Sequence, residues 1–215
     1  MLGIESNKRL LIGVTARQWL TKTAQFNYEK AVAESIEYLV SEYEAEVILI
    51  PQVTSEFHDD DDRVVNKRIY DYISDHNHVH TIDTKLDHYE IKSVYDSLDL
   101  VLGTRFHSVI FALTSYVPAI AIEYEHKTSG IMHDLNLDRW VIKIDEVNSK
   151  KLCKMIDDLI ISHIDYKKQL KQVMPDYIKE TDEPIKYVRE AYEKFSETSL
   201  QADDKKTIFE LQVAK

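Results

Sequence analysis

The chain has 215 residues, is 44% apolar and carries a formal charge of −11. That length supports a sizeable core in one large domain or two small ones, and the acidic balance argues against a nucleic-acid partner, whose phosphates need a basic surface. The single cysteine, Cys153, excludes an internal disulfide and suits a reducing compartment; no stretch reaches the roughly 20 apolar residues of a membrane span, so a cytoplasmic location is expected.

Branched apolar residues at 10–15, LLIGVT, predict a buried strand and are too few for a signal-peptide core. Residues 26–43 then place Tyr28, Ala31, Ile36, Leu39 and Val40 at helical spacing with no Gly or Pro between them, which predicts a helix. A second strand is expected at 46–52, closed by Pro51. A helix at 63–73, a short strand at 78–82, a helix at 89–98 and a strand at 99–103 follow. The same reasoning gives a helix at 105–113, a strand at 118–124, a short helix at 129–135 and a last strand at 140–144. Two long amphipathic helices are expected at 150–170 and 184–195, the second carrying Ile185, Val188, Tyr192 and Phe195, with 197–215 a frayed extension.

Strand and helix alternate, and the strands are apolar throughout rather than at every second position. That pattern predicts an α/β fold: an open, mostly parallel Rossmann-like sheet with helices on both faces. Residues 1–170 would form the domain and 171–215 a helical extension. In such sheets ligands bind beyond the carboxyl ends of the strands, so the loops after Thr15, Gln52, Leu102 and Tyr124 are those to watch.

The stretch LGTRFHSVIFAL at 102–113 places Gly103 at a tight turn and Arg105 and His107 at the mouth of an apolar helix. A helix N-terminus attracts anions, and a guanidinium with a histidine beside it makes a pocket for phosphate or carboxylate. Thr104 and Ser108 can cap or donate. The alternative assignment makes Thr104 a simple cap, Arg105 a surface residue and His107 a core histidine. An arginine at that end of a helix is unfavourable without an anion nearby, which favours the pocket. Arg17, in the loop after the first strand, supplies a second guanidinium at the same sheet edge, and Trp19 beside it reads as a packing residue. Lys127 and Ser129 in YEHKTSGIM make a further loop-to-helix turn suited to an anion, and Glu123, closing its strand, suits an arginine or a sugar hydroxyl.

The acidic run FHDDDDR at 57–63 lacks the spaced ligands and glycine of a calcium loop and reads as a solvated acidic helix start. His78 and His80 share one face of a strand without an evident third ligand, so no metal is expected. Phosphate-binding loops, nucleophile elbows and paired cysteines are absent from the sequence.

The block DLVLGTRFHSVIFALTSYVPAIAIEYEHKTSGIMHDLNL at 99–137 resembles the C-terminal signature of the polysaccharide pyruvyl transferase family, and LLIGVTARQW resembles that family's first strand of the same domain, with its arginine. The resemblance implies the C-terminal half of a B-type glycosyltransferase fold. It also implies transfer of pyruvate from phosphoenolpyruvate to a sugar, or lipid-linked saccharide, of a cell-surface or exopolysaccharide as a ketal, with no cofactor. Arg17, Arg105 and His107 would hold the donor, His107 as general acid or phosphate donor. Family chains are longer, so the resemblance further implies an N-terminal domain to complete the cleft, as a partner for the helical extension to pack on, or a homo-oligomer. Two other readings remain open: a nucleotide-sugar glycosyltransferase of similar fold, and a catalytically silent binding module that needs a separate N-terminal partner.

Overall fold

The computed structural model describes residues 9–19, 21–55 and 61–213, and side chains as far as 195 except those of 181–183 and 185. Six parallel strands form one sheet in the order β3-β2-β1-β4-β5-β6. They are β1 (Leu11–Thr15), β2 (Glu46–Leu49), β3 (Val79–Thr81), β4 (Leu100–Gly103), β5 (Ala119–Glu123) and β6 (Val141–Lys143). Central β1 pairs on both sides, Ile12 lying opposite Val47 of β2 and Leu100 of β4. The strand order reverses between β1 and β4, the kind of position where open α/β sheets open a crevice for ligands.

The helices are α1 (Lys22–Tyr43), α2 (Asp62–Tyr72), α3 (His88–Asp96), α4 (Phe106–Thr114), α5 (His126–Asp134) and α6 (Ser149–Val213). Right-handed crossovers place α1 and α2 on one face and, after the reversal, α3, α4 and α5 on the other. Covered on both faces, the sheet interior is apolar: Ile12, Val14, Val47, Leu49, Leu102, Ile120 and Ile122 are fully buried. Under α3 and α4, Ile91, Tyr95, Leu98 and Ala112 pack with Val101 and Ala119.

Strand β2 ends at Leu49, short of the expected 52, and further departures from the sequence expectations fall in the helices. Helix α1 starts at Lys22 rather than 26, because Gln25 N donates to Thr21 O and carries the first turn back past the apolar stripe. Helix α5 begins at His126, which puts Lys127 and Ser129 inside its first turns and not in a preceding loop. The two C-terminal helices are one, α6, which runs through both Pro175 and Pro184. Each proline removes one backbone donor, but the residues between them, DYIKETDE, include no glycine and several strong helix formers. The backbone stays helical to Val213, where a frayed extension was expected.

Two compact units divide the chain, Met1–Met174 and Pro175–Lys215. In the first, α6 buries Leu152, Ile156, Leu159, Tyr166, Leu170 and Met174, and Tyr38 and Tyr43 of α1 both donate to Asp157 Oδ1 at 2.7 Å. In the second, Tyr187, Val188, Tyr192 and Phe195 are exposed, while the side chain of Ile185 lies outside the described residues. Among the described residues no helix is long and apolar enough to cross a membrane.

Candidate functional site

At the reversal point, Thr15 closes β1 and its side chain ties down the start of the next crossover. Its Oγ1 accepts from Thr104 N at 3.0 Å and shares a hydrogen bond with Ser108 Oγ at 2.9 Å; its carbonyl accepts from Thr104 N at 3.2 Å. Tyr28 OH reaches Thr104 Oγ1 at 2.8 Å, and burial pushes that phenol well above its ordinary range. Thr104 is therefore occupied inside the fold, and the N-cap of α4 is Arg105, with no side chain capping the helix. Gly103 lies beneath this turn: a Cβ there would meet Ser108 Oγ at 2.9 Å and Val109 Cγ2 at 3.1 Å. The Ser108 hydroxyl, expected to reach a ligand, is fully buried and donates to Arg105 O at 2.5 Å. These three residues shape the turn; they do not line the space above it.

Arg105 turns inward. Its Nε sits 3.1 Å from both carboxylate oxygens of Asp62, and its Nη2 2.6 Å from Oδ1. Asp62 is 1% exposed and also accepts from the amides of Gln52 and Val53 at 3.0 Å. Burial pushes the Asp62 carboxyl up from the usual aspartate range, with Arg105 and the two amides pulling against it. The acidic run is thus not simply a solvated helix start. Residues 57–60 lie outside the described ones, Asp61 accepts from Arg63 N at 2.9 Å as the cap of α2, and Asp62 is the carboxylate that clamps the site arginine. Position alone could have flagged it: Asp62 opens the helix after β2, at the same sheet edge as Arg105.

Above the turn lies a cavity of about 500 Å³. His107, Arg105 and Lys127 border it, together with Asp87 and His88 at the start of α3, and Tyr124 and Glu125 beyond β5. Phe106, Phe111, Leu86 and Ile91 supply its apolar wall. His107 and Lys127 are both exposed, so two protonatable groups stand beside an uncapped helix N-terminus. Tyr124, Asp87 and His88 had not been singled out for this site; only the fold brings the starts of α3 and α4 together.

Arg17 does not line this cavity. Its guanidinium lies 4.1 Å from the centre of the Tyr124 ring and 4.8 Å from that of Trp19, two cation–π contacts onto a pair of rings that touch each other at 5.0 Å. The loop bearing it is held from α1, where Gln25 donates to Arg17 O at 3.0 Å and accepts from Trp19 N at 3.0 Å. Gln25 also donates to Glu29 Oε1 at 2.8 Å, and Glu29 binds Arg68 of α2, which reaches Gln18 Oε1 at 2.7 Å. Trp19 was expected to be a packing residue; it is 46% exposed and stacks on the arginine. Ser129 Oγ donates to His126 O at 3.1 Å, within α5. Glu123, only 9% exposed, has an Oε1 with no hydrogen-bond partner.

The paired histidines lie in and just before the outer strand, β3, two strands away from β1. His78 Nδ1 and His80 Nε2 donate to Oε1 and Oε2 of Glu46 at 2.9 and 2.8 Å, so the carboxylate missing from the sequence reading is Glu46. Among the described residues no group of three His, Cys, Asp or Glu is arranged to hold a metal.

The six-stranded parallel α/β fold is shared with solved structures over part of their length. The chain is similar to a UDP-GlcNAc 2-epimerase of Neisseria meningitidis, solved with UDP-GlcNAc, at 14% identity and a TM-score of 0.56, over 78% of this chain and 40% of that one. It is similar also to the K341M mutant of an O-GlcNAc transferase of Thermobaculum terrenum, at 15% identity and a TM-score of 0.52, over 76% of this chain and 31% of that one. The family model for polysaccharide pyruvyl transferase matches residues 6–126, more than half of the chain, and the chain belongs to that family. A curated relative, the amylovoran biosynthesis protein AmsJ of Erwinia amylovora, is 23% identical over 146 residues, which cover 68% of this chain and 35% of that protein. The chain thus spans about a third of that relative's length.

Proposed function

We propose that this chain is the donor-binding half of a cytoplasmic pyruvyl transferase that moves pyruvate from phosphoenolpyruvate onto a sugar of an exopolysaccharide as a ketal. The observation that supports this is the uncapped N-terminus of α4, with His107 and Lys127, opening on the cavity at the strand reversal. Phosphate or carboxylate there meets backbone N–H groups, a partial positive charge, the Lys127 side chain and a ring N–H of His107. Arg105, already bound to Asp62, fixes the turn from below and borders the same cavity.

The chemistry balances without a cofactor. A general acid, assigned to His107, delivers a proton to the methylene carbon of the enol, whose double-bond electrons form the new C–H bond. The neighbouring carbon, now electron-poor, is attacked by one sugar hydroxyl, which loses its proton. The bond from that carbon to the phosphate oxygen breaks and phosphate leaves with the pair. A second hydroxyl closes the ketal. One hydroxyl proton ends on the methyl group and the other on phosphate.

The test is a thermal-shift titration of the chain with phosphoenolpyruvate and, in parallel, UDP-GlcNAc. Stabilisation by phosphoenolpyruvate that is lost in His107→Ala and Lys127→Ala supports the proposal. Stabilisation by UDP-GlcNAc alone would favour the nucleotide-sugar reading, for which the fold neighbours are the only support. Transfer itself is measured with the polypeptide that completes the cleft added to the chain.

A further inference from the structure

The compact unit from Pro175 onward is a single element, the last part of α6, helical to Val213. One helix cannot bury an apolar stripe against itself, and a helix in water draws most of its stability from a packed face. Val188 and Tyr192, one turn apart, are 69% and 71% exposed.

The spacing of the apolar residues says what kind of surface they fit. Alternating steps of three and four run from Ile185 through Val188, Tyr192 and Phe195, and Ile178 lies one heptad before Ile185. From 178 to 198 only Tyr187 and Ala191 are apolar off that line. The register continues through Ala202, Phe209 and Val213, with Thr181, Ser199 and Lys206 as its polar steps and Leu200, Ile208 and Leu211 beside it. On the opposite side of the helix, Glu183, Glu190, Glu197 and Asp204 recur every seven residues. A stripe of two positions in seven is the seam of a coiled coil, whereas a helix lying on a globular body shows a broader apolar face. The partner that fits is another helix.

The flanks of the seam match a second copy. With Ile178, Ile185 and Tyr192 at a and Val188 and Phe195 at d, parallel pairing brings each g residue to the e residue five positions later on the other helix. Lys205 then meets Glu210, Thr198 meets Asp203, and no such couple along the seam sets like charges together. An antiparallel pair centred on Ser196 would instead oppose Asp182 and Glu210. Branched Ile178 and Ile185 at a favour two strands, and Lys206 at a fixes the register at some cost in stability. We infer that residues 175–213 pair with the same helix of a second copy of this chain as a parallel two-stranded coiled coil.

Sedimentation equilibrium of the full chain measures the association. A species of twice the 25.2 kDa chain mass is expected, dissociating on dilution. Val188→Lys combined with Tyr192→Lys puts charge into the seam and should weaken association roughly a hundredfold; both side chains are exposed, so the sheet domain keeps its fold, as circular dichroism melts will show. A monomer at every concentration, or a dimer that these substitutions leave unchanged, overturns the inference. A monomer that binds the polypeptide completing the cleft, and loses it on the same substitutions, overturns it in favour of that partner. Orientation is read by oxidative crosslinking of Ala202→Cys in a Cys153→Ser background, with Glu190→Cys on the opposite side of the helix as control. Parallel pairing sets the two 202 positions side by side, within reach of a disulfide, so crosslinking at 202 and not at 190 is expected. Any other pattern overturns the parallel arrangement.

Discussion

Asp62 and Arg105 form a pair in which neither charge reaches bulk water on its own terms: the two are 1% and 8% exposed. Taking both from solvent is costly, and their attraction with the two amide donors offsets it. Removing Asp62 takes away the carboxylate that the buried guanidinium and the two amides share. Asp62→Ala is therefore expected to lower unfolding free energy by about 3–5 kcal/mol, measured by urea denaturation, and to release the loop after β2, whose Gln52 and Val53 amides lose their acceptor. A loss under about 1 kcal/mol would put the pair in the class of ordinary surface bridges. The arginine sought in the sequence as an anion ligand is thus first of all a structural clamp, its orientation set by a carboxylate 43 residues earlier.

At the scale of elements, the β4–α4 turn is governed by what Gly103 lacks. Gly103→Ala places a methyl 2.9 Å from Ser108 Oγ and 3.1 Å from Val109 Cγ2, both in the first turns of α4. The helix must move, at an expected cost of roughly 1–3 kcal/mol, and His107 moves with it. The substitution should weaken phosphoenolpyruvate binding together with thermal stability; unchanged melting and binding would show the turn to be tolerant. Much of this element pattern was legible in advance. The apolar strands β1, β2, β4 and β5 and the Gly103 turn follow from runs such as LLIGVT, EVIL and AIAIE, because burial on both faces demands continuous apolar sequence, while the outer strands β3 and β6, Val-His-Thr and Val-Ile-Lys, carry a weaker signal. The start of α5 and the join of the two last helices were not legible, since polar first turns and isolated prolines carry no periodic signal. Nor was the inward turn of Arg105, because its partner lies in an acidic run whose members look alike until folding buries Asp62 and leaves Asp61 as a cap.

For the molecule as a whole, the sheet's far edge carries an acid-sensitive tie. The hydrogen bond from His80 above all, with that from His78, holds the Glu46 carboxyl below its ordinary value of 4.5 against the opposing effect of burial. A carboxylate with a depressed folded-state pKa adds stability that is complete above the unfolded value and disappears as pH falls through the folded one. Thermal melts from roughly pH 6 to 3 should therefore fall more steeply for the parent chain than for Glu46→Gln; parallel curves would remove Glu46 from the acid response.

The strand order has a consequence for synthesis. Strand β1 is nearly the first segment described, yet its second neighbour, β4, lies some 88 residues on, where the Leu11 amide donates to Asp99 Oδ2 at 3.0 Å. On a ribosome, β1, β2 and β3 with α1 and α2 emerge as a three-stranded half-sheet while the partner for the open side of β1 is still unmade. Closing so distant a pair is slow, and until then β1 presents an apolar edge with unsatisfied backbone groups, the kind that draws other chains. The reversal that creates the ligand crevice thus leaves one edge of β1 without its partner until β4 has been made.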